Sequence, residues 1–174
     1  MKYLVKFFVV TFFFIISTHS FAEQKIVVLD MHYVLNSSKA GKDAQEFLKK
    51  KFNANAKKFT ELEKSLKKEE IDLLAEKANL TKEEYTTKSD SLRKKVRDFQ
   101  SQRRTSIDKL HKQREEARQI IMKRIKPILN VYIKENDVSL IIDKKNMIVG
   151  STEYDITKAI VEKLNKEFPS LNLQ

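Results

Sequence analysis

From Ser38 to Glu135 the chain runs for nearly one hundred residues with no glycine after Gly41 and a single proline, Pro127. Tight turns draw on Gly and Pro for backbone shapes that other residues resist. A stretch this long without them has few places to reverse. It is also dense in Lys, Glu, Arg, Ala and Leu, the strong helix formers. One break stands in its middle, at Ala78-Asn79-Leu80-Thr81-Lys82-Glu83-Glu84. There Thr81, with Glu84 three residues on, makes a capping box, the signature of a helix start. The stretch therefore reads as two long helices folded back on each other, with the tip near 78–82. The first, from about Ser38 to Ala78, would span about 60 Å.

Apolar residues in the first helix keep a heptad. Phe52, Phe59, Leu66 and Leu73 stand seven apart, and Leu48 and Leu62 take the partner position, where Asn55 and Glu69 also fall. Such spacing makes one stripe, as in a coiled-coil seam. In the second helix the stripe runs through Tyr85, Leu92, Val96, Phe99, Ile107, Leu110, Ala117, Ile121, Ile125, Ile128 and Tyr132, interrupted by Arg103 and Arg114. Toward its C-terminal end this helix turns apolar on several faces, with Ile120, Met122, Leu129, Val131 and Ile133 joining, and such a helix has to be buried. The hairpin base thus belongs to a core and the far end does not. Pro127 removes one backbone donor there and is expected to bend the helix.

Short apolar runs flank the hairpin. Lys25-Ile26-Val27-Val28-Leu29-Asp30 and Val138-Ser139-Leu140-Ile141-Ile142-Asp143 read as strands, Met147-Ile148-Val149 as a third. Met31 to Leu35 reads as a single helical turn, Asn36-Ser37-Ser38 as capping chemistry, and Gly41 as a kink. Asp155 is expected to cap a last helix with Ala159, Ile160, Val161 and Leu164 on its apolar face. The fold class is α+β, mostly α: a body formed by 23–43 and 125–174 and an arm formed by 44–124. Two apolar strands and a short helix are little to stabilise a monomer. An oligomer that shares a core between sheets is expected, with Ile26, Val28, Leu140, Ile142 and Ile148 in it.

The first residues bear on compartment. Lys2 and Lys6 precede an apolar run, Phe7 to Ile16, and Ser20-Phe21-Ala22 has the small-x-small pattern of a cleavage site. This is the layout of a secretory signal peptide, cleaved after Ala22. The apolar run is short for a membrane-spanning helix. The chain carries a formal net charge of +11, and removal of the two lysines leaves the mature chain basic. An exported protein does not normally meet the genome, so nucleic acid is not expected as a partner despite that charge.

No catalytic constellation appears. The chain has no Cys, and His32 and His111 lack a partner at metal-ligand spacing. Asp30, Asp143 and Asp155 stand at strand ends and caps, where Asp serves the backbone. Two glycines cannot make a phosphate loop. No enzyme, cofactor or metal is expected. What remains is surface. Lys67, Lys68, Arg93, Lys94, Lys95, Arg97, Arg103, Arg104, Arg114 and Arg118 offer charge to an acidic client or an anionic lipid surface, against the plainer reading of a solvated face balanced by Glu. Phe52, Phe59, Leu66, Leu92 and Phe99 are candidates for holding apolar segments of a client, against the plainer reading of helix–helix packing.

The export signal, the strand KIVVLD, the long basic hairpin and the run NDVSLIID followed by Asp155-Ile156-Thr157 resemble the Skp, or OmpH-like, family of periplasmic chaperones. The resemblance covers essentially the whole mature chain. Pro127 and the Lys-rich composition depart from the family pattern. The resemblance implies a homotrimer with a body and three arms. It implies a central cavity that shields unfolded outer-membrane proteins in the periplasm without ATP, and contact of basic arm residues with lipopolysaccharide. A structural coiled-coil protein of the envelope, bound to one fixed partner, is the alternative.

Overall fold

A computed structural model describes residues 24–171 and 173. Strand β1 (Lys25–Leu29) leads into a short helix α1 (Met31–Ser37) and then into α2 (Lys39–Glu76). A 3-10 turn (Lys77–Asn79) reverses the chain into α3 (Lys82–Glu135), which is followed by β2 (Val138–Asp143), two further 3-10 turns (Lys144–Asn146 and Thr152–Tyr154) and α4 (Thr157–Glu167). The reading of residues 1–22 as an export signal lies outside the described residues.

Local chemistry accounts for the joints. At the tip, Thr81 Oγ1 accepts from the Glu84 N–H at 3.3 Å while Glu84 Oε2 accepts from the Thr81 N–H at 2.9 Å. These bonds satisfy donors that a helix start leaves orphaned. At the other end of α3, Asn136 caps and Asp137 adopts φ 52°. Asp tolerates this left-handed turn, and it stops the helix and aims the chain into β2. Between α1 and α2, the buried Ser38 hydroxyl accepts from the Gly41 N–H at 3.1 Å. A Cβ on Gly41 would stand 1.9 Å from the Leu35 carbonyl oxygen. Gly41 is thus required by close packing of the corner inside the first turn of α2, not as a kink.

The sheet has two strands, not three. β1 and β2 pair in parallel, with Ile26 opposite Leu140, Val27 opposite Ile141 and Val28 opposite Ile142. Parallel neighbours need a crossover connection, and here the crossover is the entire helical hairpin. The expected third strand, Met147-Ile148-Val149, does not join the sheet. Asp143 accepts from the Lys145 N–H, the chain turns through Lys144–Asn146, and the segment emerges with Ile148 103% and Val149 87% exposed. Its apolar side chains favour a strand, but the 3-10 turn at Lys144–Asn146 carries the segment away from the two-stranded sheet.

The core fills the base. Val27 and Leu29 from one face of the sheet meet Val34 of α1, Ala40 and Ala44 of α2, Ala117, Ile121, Ile125 and Ile128 of α3, and Ile156, Ile160 and Leu164 around α4. α3 is longer than α2, 54 residues against 38, and the surplus is what enters this core. α3 continues through Pro127, which sits one residue from the buried Ile128. Helix α4 starts one residue later than Asp155 would place it. Ile156 holds the capping position with no side-chain hydrogen bond, and Asp155 instead accepts from the Thr157 N–H at 2.9 Å and from Lys144 Nζ at 2.7 Å. Burial works against ionisation of Asp155. The bonds from Lys144 and Thr157 outweigh it and hold the carboxyl below its ordinary value, while Asp155 raises Lys144 in turn.

Candidate functional site

Beyond the base, α2 and α3 have only each other. Leu48 and Phe59 are buried in their seam, and Leu62, Leu66 and Leu73 are half-buried against Leu92, Val96 and Phe99. Phe59 and Phe99 meet edge-on with ring centroids 6.0 Å apart. Of the five apolar residues singled out for client contact, Phe59, Leu66, Leu92 and Phe99 therefore lie in the seam. Phe52 does not; it is 61% exposed. The polar seam position Glu69 is half-buried and reaches across to Lys95 of α3 at 2.6 Å, and Glu76 reaches Lys88 at 2.7 Å.

Between Phe99 and Ala117 the seam does not follow the apolar residues. Ile107 is exposed, and the half-buried positions are Ser106, Leu110 and Gln113. An α-helix returns to the same face after seven residues. Ser106 and Gln113 stand seven and fourteen residues after Phe99, whereas Ile107 is rotated off by about 80°. Opposite, Asn55 is half-buried. The middle of the seam is polar, a feature hidden from any tally of apolar spacing but open to a strict count of seven.

Charge is distributed unevenly along the hairpin. Its outer part, residues 61–98, carries ten basic and ten acidic side chains. The inner part, residues 43–60 and 99–118, carries eleven basic and five acidic. Of the basic candidates, Lys67, Lys68, Arg93, Lys94, Lys95 and Arg97 lie in the balanced outer part, where Arg93 pairs with Asp90 at 3.0 Å and Lys95 with Glu69. Arg103, Arg104, Arg114 and Arg118 lie in the basic inner band, with Arg118 3.5 Å from Glu115. The charge excess sits beside the body and not at the tip.

The body has an uncovered apolar face. Ile26 and Leu140 are paired neighbours on the side of the sheet away from Val27 and Leu29, and both are exposed, as is Ile148. Ile142 is half-buried. Val28, expected in a core shared between copies, is instead buried within the chain, its carbonyl accepting from the Ile156 N–H at 2.9 Å. Among the described residues no group of three or more His, Asp or Glu stands close enough to hold a metal ion, and no helix is long and apolar enough to cross a membrane.

Comparison with known proteins places this geometry. Residues 25–164 match the family described as outer membrane protein (OmpH-like). The chain is 25% identical over 170 residues to a Skp-like protein of Pseudomonas aeruginosa, covering 95% of this chain and 99% of that protein. The crystal structure of a protein described as an OmpH-like outer membrane chaperone, from Caulobacter crescentus, superimposes with a TM-score of 0.81 at 18% identity, over 91% of this chain and 94% of that one.

Proposed function

The chain belongs to the OmpH-like outer membrane protein family, and from that premise we propose that it is an ATP-independent periplasmic holdase. Unfolded outer-membrane proteins are its clients, held in a cavity between the arms of a homotrimer until they are passed on. One observation carries the reading. The arm is a thin pair of helices that leaves Phe52, Ile71, Leu74 and Ile107 exposed, together with the charge excess of the inner band. Scattered apolar side chains among exposed lysines suit many weak contacts with an unfolded chain, whose sum holds while each contact exchanges. Positive charge draws in acidic clients and weakens with salt. The description of the Caulobacter crescentus protein as an outer membrane chaperone supports the same reading.

The apolar face of Ile26 and Leu140, with the protruding Ile148 and Val149, supports self-association through the body. Exposed apolar surface of this kind marks an interaction site, and the unpaired Met147–Val149 segment supplies the strand that a neighbouring sheet edge can take up. In a three-fold assembly the arms project from one body and enclose the cavity. Basic residues along the arm also suit contact with lipopolysaccharide or another anionic surface.

The test is aggregation of a denatured outer-membrane barrel protein diluted from urea, followed by light scattering. The mature chain suppresses scattering at about one trimer per client. Full aggregation at that ratio sinks the proposal. Native mass spectrometry of the same mixture then gives the assembly and the number of clients it takes.

A further inference from the structure

We infer that the polar interruption of the arm seam is a cleft that binds acidic segments of unfolded polypeptide. The proposal rests on the chaperone reading and gives its clients a defined anchoring point. The cleft has a volume of about 400 Å³ and opens between α2 and α3 in the basic inner band. That size lies in the range of binding clefts, about 300–1,000 Å³, and admits a few residues of extended chain.

Its lining is chemically consistent. Lys51, Lys58 and Lys109 provide the charge, and no carboxylate lines the cleft. Lys51 Nζ lies over the Phe47 ring at 5.4 Å and Lys58 Nζ over the Phe59 ring at 5.6 Å. Among the described residues none of the three lysines stands in an ion pair, whereas Lys50, one residue from Lys51, is tied to Glu46 at 2.7 Å. A cation over a ring keeps its N–H donors available. The amides of Asn55, Gln102 and Gln113 and the hydroxyls of Ser101, Thr105 and Ser106 add groups that both donate and accept. Phe59 and Leu110 give an apolar patch between them.

This mixture selects among anions. A phosphate group can take the lysines and the donor side of the amides and hydroxyls but leaves Phe59 and Leu110 unused. A polypeptide segment brings carboxylates for the lysines, backbone N–H and C=O groups for the amides and hydroxyls, and apolar side chains for Phe59 and Leu110. Polar residues at seam positions also weaken the helix pair, and Asn55 and Ser106 hold the cleft open where leucines would close it.

The experiment uses the full mature chain and a short, unstructured, fluorescein-labelled peptide rich in Glu and Leu, with binding followed by anisotropy. The triple variant Lys51→Gln, Lys58→Gln, Lys109→Gln weakens binding roughly tenfold, as expected for losing three exposed charge contacts at once. The variant Lys49→Gln, Lys57→Gln, Lys123→Gln, with equal charge loss outside the cleft, weakens it about twofold or less. The pair Asn55→Leu, Ser106→Leu raises the melting temperature by closing the seam and abolishes peptide binding. Equal losses in the two lysine variants overturn the cleft in favour of net charge alone. Retained binding in the leucine variant overturns it as well. Inorganic phosphate that displaces the peptide at constant ionic strength and loses its own affinity in the Lys51, Lys58, Lys109 variant makes the site a phosphate site and overturns the proposal. Peptide binding in the cleft without suppression of barrel-protein aggregation leaves the cleft standing and removes the chaperone reading; suppression with two equivalent lysine variants does the reverse.

Discussion

Phe59 of α2 and Phe99 of α3 meet with ring planes at 71° and centroids 6.0 Å apart, an edge-to-face contact at the outer margin of the polar seam segment. Outward of this pair the seam is held by half-buried Leu62, Leu66, Leu92 and Val96; inward of it, by Asn55, Ser106 and Gln113 as far as Leu48 and Ala117. The pair joins a buried Phe59 to a half-buried Phe99. Phe59→Ala removes it and should cost about 3 kcal/mol, at the low end for a buried aromatic because the seam can partly collapse. Urea unfolding measures the loss, and amide exchange should quicken in the arm and stay slow around Ile121, Ile125 and Ile160. A uniform loss of protection over arm and body would mean that the two unfold as one unit.

Gly41→Ala places a methyl group 1.9 Å from the Leu35 carbonyl oxygen, a backbone atom that cannot swing aside. The α1–α2 corner must open, which also strains the Ser38 cap. A loss of about 2–3 kcal/mol is expected from overpacking, read as a fall in melting temperature. A neutral substitution would show that the corner relaxes freely.

The Lys144–Asp155 pair, 2.7 Å apart, ties the turn after β2 to the start of α4. The folded carboxyl titrates below its ordinary value, and the ammonium above its own. A lowered carboxylate stabilises the fold at pH above its unfolded value and loses that contribution as pH falls through the folded value. A raised lysine contributes below its unfolded value and loses it as pH rises through the folded one. The pair therefore stabilises from about pH 4 to about pH 10. Asp155→Asn should cost about 1 kcal/mol at pH 7 and progressively less as pH falls below about 4, measured by thermal melts across pH. A cost that persists unchanged at acid pH would show that it does not come from the Lys144–Asp155 charge pair.

Leu140→Arg with Ile148→Arg puts charge on the uncovered face of the body without touching the buried core of the subunit. Light scattering should show smaller assemblies with an unchanged helical circular dichroism spectrum. On the proposed function, suppression of aggregation should fall along with assembly size, since separated arms would enclose no cavity. An assembly that survives both substitutions would place the contact between subunits elsewhere.

The capping box at Thr81 and Glu84, the two long helices, the two paired strands and the burial of Ile121, Ile125 and Ile128 were legible because each rests on local spacing or on a strongly apolar run. The resemblance to the OmpH-like family, carried by the strand motifs and their order around the hairpin, pointed the same way. The candidate site was legible only in outline. Four of its five apolar residues pack in the seam, and six of its ten basic residues lie in the charge-balanced outer part of the hairpin.

By itself the sequence determined where helices begin and end to within a residue or two, roughly how long the arm is and which end of α3 enters the core, since helix propensity, caps and apolar periodicity act within a few residues. Only the tertiary structure decided that Ser106 and Gln113 face α2 while Ile107 does not, because the facing positions depend on how two helices are set against each other at once. It decided that Met147–Val149 stays unpaired, because pairing depends on the direction in which the turn at Lys144–Asn146 sends the chain relative to the sheet. It also decided that Gly41 answers to the carbonyl of Leu35, a close approach that exists only once the α1–α2 corner is folded.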